Sequence, residues 1–255
     1  MIRGLYSAAT GMLAQQAVQD ALASNLANIN TTGFKQDVPT FRALYDMALN
    51  RYGGIDGGGA YVGNLGLGSA FDRAVTDFSP GSLTATQNPL DLALVGDGFF
   101  TVQTPAGERY TRAGAFHIEP VKTPPGAKPI SYLVDDEGRR VLGTKGPIDT
   151  GGAQNVAVDD NGNVLVNGSA VDRLKIVTAM PSQMRKEGGN VFAILGTPVA
   201  ASPKVRSGFL EQSNVSAVGS MVRMIAVQRA YEAAQRAVTS QDDELNKVIN
   251  EAARL

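Results

Sequence analysis

Few side chains in this sequence have the type and spacing that chemistry requires. The one histidine, His117, lies in the strand-like run Ala115-Phe-His-Ile118. It has no second histidine and no nucleophile motif near it, so it reads as a structural position. Asp159, Asp160, Asn161 and Asn163 offer oxygen ligands of the kind calcium takes. They lack the D-x-[DN]-x-[DN]-G frame and its distant bidentate glutamate, and Asn161-Gly162 between two apolar runs reads as a hairpin turn. Gly96-Asp97-Gly98 lacks the third glycine of a dinucleotide loop, and a strand follows it where a phosphate site needs a helix N-terminus. Asp242-Asp243-Glu244 reads as a solvated helix face. No Walker A loop, G-x-S-x-G elbow or H-E-x-x-H motif occurs. With no cysteine, disulfides, thiol catalysis and cysteine metal sites are excluded, and one histidine cannot build a His-rich zinc or iron centre. The sequence therefore predicts no enzyme: no catalytic residue, no cofactor and no metal.

Composition agrees with that reading. The chain has 255 residues, 43% hydrophobic and 18% charged, with a net charge of −1. That is enough for a packed core and is not the make-up of a disordered chain. The near-neutral charge predicts no nucleic-acid partner. The uncharged N-terminal run Gly4 to Gln19 is broken by Ser7, Thr10, Gln15 and Gln16. It is shorter than the ~20 apolar residues a bilayer core needs and too polar for a secretory signal. No membrane insertion and no cleaved signal are expected.

The elements that carry these residues divide into three zones. Residues 1–36 contain seven alanines and only three charged side chains, Arg3, Asp20 and Lys35. Ile2, Leu5, Ala9, Met12, Gln16, Gln19, Ala23 and Leu26 step at 3-4 spacing, which predicts a helix with a heptad seam. A second stripe of Val18, Leu22, Leu26 and Ile29 takes over where the glutamines weaken the first. The remaining faces are Ala, Ser, Gln and Asn rather than Lys and Glu. A solvated helix carries charge on its outer face, so this one is expected to have neighbours on more than one side. Asn28, Asn30 and Gly33 supply its stop signal.

At the other end, Met224, Val227, Tyr231, Ala234, Val238, Gln241, Leu245 and Val248 repeat the 3-4 spacing over ~36 Å, interrupted once by Gln241. Asn214 or Ser216 could cap that helix. The predicted subunit-packing seam consists of Ile2, Leu5, Met12, Leu22, Leu26, Ile29, Met224, Val227, Tyr231, Val238, Leu245 and Val248. Between the ends, Arg51 to Gly68, with eight glycines from Gly53 to Gly68, predicts a long irregular connection that orders on assembly. The zone beyond it repeats strand-turn-strand signals. Asp91–Val95 resumes as Phe99–Val102 after Gly96-Asp97-Gly98. Tyr132–Val134 meets Arg140–Leu142, and Val156–Val158 meets Val164–Val166. Leu174–Val177 adds a further strand.

The expected fold class is α+β. Paired, coiled-coil-like N- and C-terminal helices accompany a central antiparallel β-rich domain. The predicted divisions are 1–36, a connecting arm 37–75, a β-rich outer domain 76–207 and a C-terminal helix 208–255.

Six runs then carry a resemblance. Met1-Ile-Arg-Gly-Leu-Tyr-Ser-Ala-Ala-Thr-Gly-Met12 and Ser24-Asn25-Leu26-Ala27-Asn28-Ile29-Asn30-Thr31-Thr32-Gly33-Phe34-Lys35 lie at the start. Asn88 to Phe100 and Arg109-Tyr-Thr-Arg-Ala-Gly-Ala-Phe116 lie in the middle, and Leu210-Glu-Gln-Ser-Asn-Val215 with Gln228-Arg-Ala-Tyr-Glu232 lies near the end. In this order they resemble the signature segments of the flagellar basal-body rod proteins, across nearly the whole chain. The short length and the Pro89–Val95 run favour the proximal-rod type, while the glycine-rich segment keeps the distal-rod type open. The resemblance implies terminal helices in an inner tube with a β-rich domain outside. It implies a location in the basal body, reached through the flagellar type III export apparatus without a cleaved signal. The implied role is a structural axial subunit that stacks helically on itself and on other rod and hook proteins, and transmits torque. The alternative is a β-domain that binds or cleaves cell-wall polysaccharide. That reading would need a carboxylate pair or an aromatic platform, and the chain has no Trp and only 7 Tyr.

Overall fold

A computed structural model describes residues 2–44, 46–51, 60–66, 68–121, 130–153 and 155–252. The architecture is α+β: one helix at each end and an antiparallel β-rich region between them. The chain forms two compact units. One combines Met1–Leu26, Asp37–Val75 and Ser216–Leu255; the other combines Ala27–Gln36 with Thr76–Val215.

The first unit holds α1 (Ile2–Ala27) and α2 (Ala217–Ala252). Both are built from good helix formers with 3-4 apolar spacing. Of the two candidate caps for α2, Ser216 takes the position: its Oγ accepts the Gly219 backbone N–H at 3.2 Å. The stretch 51–68, expected as irregular, contributes a strand. Ala60–Gly66 pairs antiparallel with Asp46–Arg51, while residues 52–59 of that expectation lie outside the described residues. Asp37–Ala43 pairs with Ser69–Thr76. Tyr61 and Val62 supply pleat-favouring side chains that a glycine count overlooks.

In the second unit the main sheet runs Met184–Lys186, Val191–Ile194, Gly107–Thr111, Phe99–Thr104, Arg140–Val141, Ile130–Asp135, Phe116–Val121, with Ile176–Thr178 also paired to Phe99–Phe100. A three-stranded meander, Val156–Val158, Asn163–Val166 and Ser169–Arg173, lies beside it in sequence. Two expected hairpins form as read: Val134 pairs with Arg140, and Val156–Val158 pairs with Val164–Val166. The Gly96–Gly98 turn does not join a hairpin. Leu92–Val95 pairs with Lys204–Ser207 instead. Asp91, Leu92, Ala93 and Leu94 are all buried, so this strand is covered on both faces and does not alternate. The core gathers Leu92, Phe100, Val102, Phe116, Leu133, Val141 and Val164, among others. A satellite cluster packs Phe78, Phe99 and Phe192 edge to face at 5.3–5.7 Å.

Candidate functional site: a buried junction and exposed helix faces

The second unit is tied together by a charge cluster that no catalytic motif announced. Lys35 Nζ donates to Glu211 Oε1 at 2.6 Å and to the Ser79 carbonyl at 2.7 Å. Arg112 Nη1 donates to Glu211 Oε2 at 3.2 Å, and Nη2 donates to the Gly96 carbonyl at 2.9 Å. The Gly81 backbone N–H completes the set on Glu211 Oε1. Lys35 and Glu211 are 1% exposed and Arg112 is 6% exposed, so two cations share one carboxylate out of water. Burial pulls the Lys35 amine below its usual lysine range, with the Glu211 hydrogen bond and charge opposing that shift without cancelling it. Arg112 also lies over the Phe99 ring, 5.1 Å from its centroid.

Backbone contacts reinforce the same place. Gly33 donates to the Glu211 carbonyl at 2.8 Å with φ +65°, and a Cβ there would run into the backbone of Arg112 and Ala113. Gln36 N–H donates to Asn214 Oδ1 at 2.8 Å, while Asn214 Nδ2 donates to the Asp77 carbonyl at 2.9 Å. Lys186 Nζ donates to the Lys35 carbonyl at 2.9 Å and sits 3.8 Å over the Phe34 ring. In the helical unit, Asn25 pairs with both backbone groups of one residue: its amide donates to the Asp37 carbonyl and accepts from the Asp37 N–H, both at 2.9 Å.

These contacts place three of the quoted runs at one point. Lys35 closes the first, Arg112 stands in the second and Glu211 in the third. Sequence reasoning missed the cluster. The available signal was a lone charge, Lys35 and Glu211, in two otherwise uncharged segments; Arg112 shares its segment with Arg109.

The candidate chemical residues have structural surroundings. His117 is exposed on the strand Phe116–Val121, opposite Val134. Asp159 Oδ1 accepts the backbone N–H groups of Asn161 and Asn163 at 2.9 and 2.8 Å, which closes the hairpin turn. Among the described residues no group of three or more His, Cys, Asp or Glu could hold a metal ion. No helix among them is long and apolar enough to cross a membrane.

The seam residues fall as follows. In α1, Leu22 is buried and Leu5, Met12 and Leu26 are half-buried, while Gln16, Gln19 and Ala23 are exposed. The buried stripe therefore follows Val18 and Leu22 rather than the glutamine row. The Ile2 side chain lies outside the described residues. Ile29 is half-buried but follows the end of α1 at Ala27. In α2, Val227 is buried and Met224, Ala234, Val238, Gln241 and Leu245 are half-buried. Tyr231 is 36% and Val248 51% exposed.

Roughly opposite that stripe, α2 carries a second apolar one. Val218, Met221, Val222 and Ile225 share one helix face and are 73%, 51%, 61% and 54% exposed. Tyr6 and Leu13 are exposed on α1, two turns apart. Contiguous apolar side chains in water mark an interaction surface.

Comparison with known proteins agrees with this arrangement. The model described as flagella basal body rod protein matches residues 5–35, which cover most of α1 and end on Lys35. The flagellar hook protein FlgE/F/G D1 domain matches residues 93–166. The flagellar basal body rod FlgEFG protein C-terminal model matches residues 206–251, which include Glu211 and nearly all of α2. The flagellar basal-body rod protein FlgG of Bacillus subtilis is 33% identical, over 98% of this chain and 99% of its own length. The chain belongs to the flagellar basal-body rod protein family. The rod-family FlgG of Borreliella burgdorferi is 32% identical over 96% of this chain and 97% of its own. The FlgF rod protein of Escherichia coli is 34% identical over 92% of this chain and 91% of its own. Relatives of both names thus match the rod-family chain to nearly the same degree.

Proposed function

We propose that this chain is a structural axial subunit of the bacterial flagellar basal-body rod. It polymerises helically through its terminal helices, with copies of itself and with other rod and hook proteins. The observation that carries this reading is the exposed stripe Val218–Met221–Val222–Ile225 on α2, in a chain of the rod family. An apolar face of this kind is stable when another subunit covers it. Contacts between unlike patches that do not close into a ring extend into a helical filament. Close packing of such helices gives the stiffness that torque transmission needs. Delivery through the flagellar type III export apparatus is part of the proposal, and the chain has no catalytic role in it.

The test is a strain whose only copy carries Val222→Asp. Swimming and isolated basal bodies are examined, and the secreted fraction is assayed to separate export from assembly. We expect exported protein without completed rods. Normal rods and normal swimming would overturn the reading.

A further inference from the structure

We infer that α2 carries two charge triads of inverted sign that set how one copy of the chain meets the next: parallel, and displaced by fifteen residues. The first triad, Arg229-x-x-Glu232-x-x-x-Arg236, continues the exposed apolar stripe along the same helix face. The second, Glu244-x-x-Lys247-x-x-x-Glu251, repeats the 3-4 spacing with every sign reversed. Glu244 stands fifteen residues after Arg229, Lys247 after Glu232 and Glu251 after Arg236. All six side chains are exposed, and among the described residues none of them forms an ion pair. Fifteen residues turn a helix by about 60°, so the triads occupy adjoining strips and one α2 can meet two neighbours.

A second copy shifted along α2 by about 22 Å sets each of these charges against its opposite and brings no like charges of α2 together. Other alignments lose the match. A slip of seven residues one way leaves only Arg229 against Glu251. The same slip the other way leaves Arg236 against Glu244, countered by Asp243 against Glu251. Exposed ion pairs add little strength singly, but their pattern and the cost of like charges select an alignment.

The same shift also covers the apolar stripe. Val218, Val222 and Ile225 of one copy fall opposite Ala233, Ala237 and Ser240 of the next, three exposed small residues that permit close helix approach. An antiparallel pair matches charges too, with Arg229 on Glu251 and Arg236 on Glu244. It leaves Val218, Val222 and Ile225 beyond the end of the second α2 at Ala252, uncovered by that helix. The parallel contact joins unlike strips of the two copies, so it repeats without closing. The inference rests on the proposed axial assembly and adds the direction and alignment of one contact within it.

The chain has no cysteine, so introduced thiols are the only ones present. Ile225→Cys and Ser240→Cys, both at exposed positions, fall opposite each other in the parallel pair. In basal bodies from a strain whose only copy carries both, a short bismaleimide should join the subunits into a ladder of linked chains. Ser240→Cys alone should give no linked chains, whereas an antiparallel pair sets that position against itself and gives linked dimers. Separate strains test the charges. Arg229→Glu and Glu244→Arg should each reduce complete rods about tenfold, and the two together should restore them, because the same pair meets with its signs exchanged. Unlinked chains in double-cysteine rods, linked dimers from Ser240→Cys alone, normal rods in either single charge variant, or no restoration in the combined one would each overturn the inference. If the cysteine pair prevents assembly, the charge exchange decides alone. Loss of rods in Val222→Asp without restoration by the exchange would count against this inference only, and normal rods in Val222→Asp against the proposed function.

Discussion

Lys35 and Glu211 lie 176 residues apart in sequence and 2.6 Å apart in space, each almost wholly withdrawn from water. The contact joins the segment that follows the first helix to the strand that precedes the last. Arg112 reaches the same carboxylate from the middle of the chain.

Glu211→Ala leaves two buried cations with no counter-charge. Breaking a buried pair from one side costs about 3–5 kcal/mol. At the sensitivity of a domain of this size, the melting temperature should fall by roughly 6–20 °C. Differential scanning calorimetry of the full chain measures it. A loss below about 1 kcal/mol would mean that the cluster does not hold the unit together.

Gly33→Ala meets two obstacles, a left-handed backbone and the Arg112–Ala113 peptide. Gly138→Ala meets only the first: its φ is +76° and nothing lies within 4 Å of the added Cβ. The Gly138 variant should lose about 1–2 kcal/mol, and the Gly33 variant clearly more. Urea unfolding of both compares them directly, and equal losses would remove the steric part of the argument.

Acid should weaken the β-rich unit through its turn carboxylates. Hydrogen bonds from the Ser79 backbone and the Gln36 side chain lead the causes that hold Asp77 below its usual value of 3.8. Burial pushes Asp159 up, but its hydrogen bonds from Asn163 and Asn161 outweigh that and bring it down. For a depressed carboxyl the unfolded chain binds its proton first as pH falls. Stability is therefore present above about pH 4 and lost below it. Asp159→Asn should flatten the stability profile between pH 4 and pH 2. The slope has the same sign for Lys35: the unfolded chain keeps that proton to higher pH, so stability rises as pH climbs toward 10.5. Lys35→Met should remove that alkaline rise.

Val222→Asp and His117→Gln separate assembly from chemistry. Both positions are exposed, so both variants should keep their stability within about 0.5 kcal/mol. The first should abolish rod assembly, while the second should leave swimming near normal. Val238→Asp, at a half-buried seam position, should lose both assembly and some helix stability. Loss of swimming in a folded and exported His117→Gln protein would favour a chemical role.

Much of this architecture was legible because it is local. The 3-4 spacing from Met224 to Leu245 marks the inner face of α2, since helix geometry repeats every few residues. Asn161-Gly162 marks its hairpin for the same reason. Partnerships between distant residues leave no such trace. Leu92–Val95 looks like the first arm of a hairpin, yet it pairs with Lys204–Ser207. Lys35, Arg112 and Glu211 each look like an ordinary charge until the fold brings them together. The Ala60–Gly66 strand was hidden by its glycines, because composition outweighed the pleat preference of Tyr61 and Val62.

The pairing of early with late strands has a kinetic consequence. Leu83–Ala85 waits for Phe209–Glu211, and Leu92–Val95 waits for Lys204–Ser207. A polypeptide made from its N-terminus cannot complete this core until more than four-fifths of its 255 residues have been synthesised. Contacts of such long sequence separation also form slowly. The closing step is deferred by topology to the end of synthesis, which leaves the nascent chain a long interval with its core unfinished.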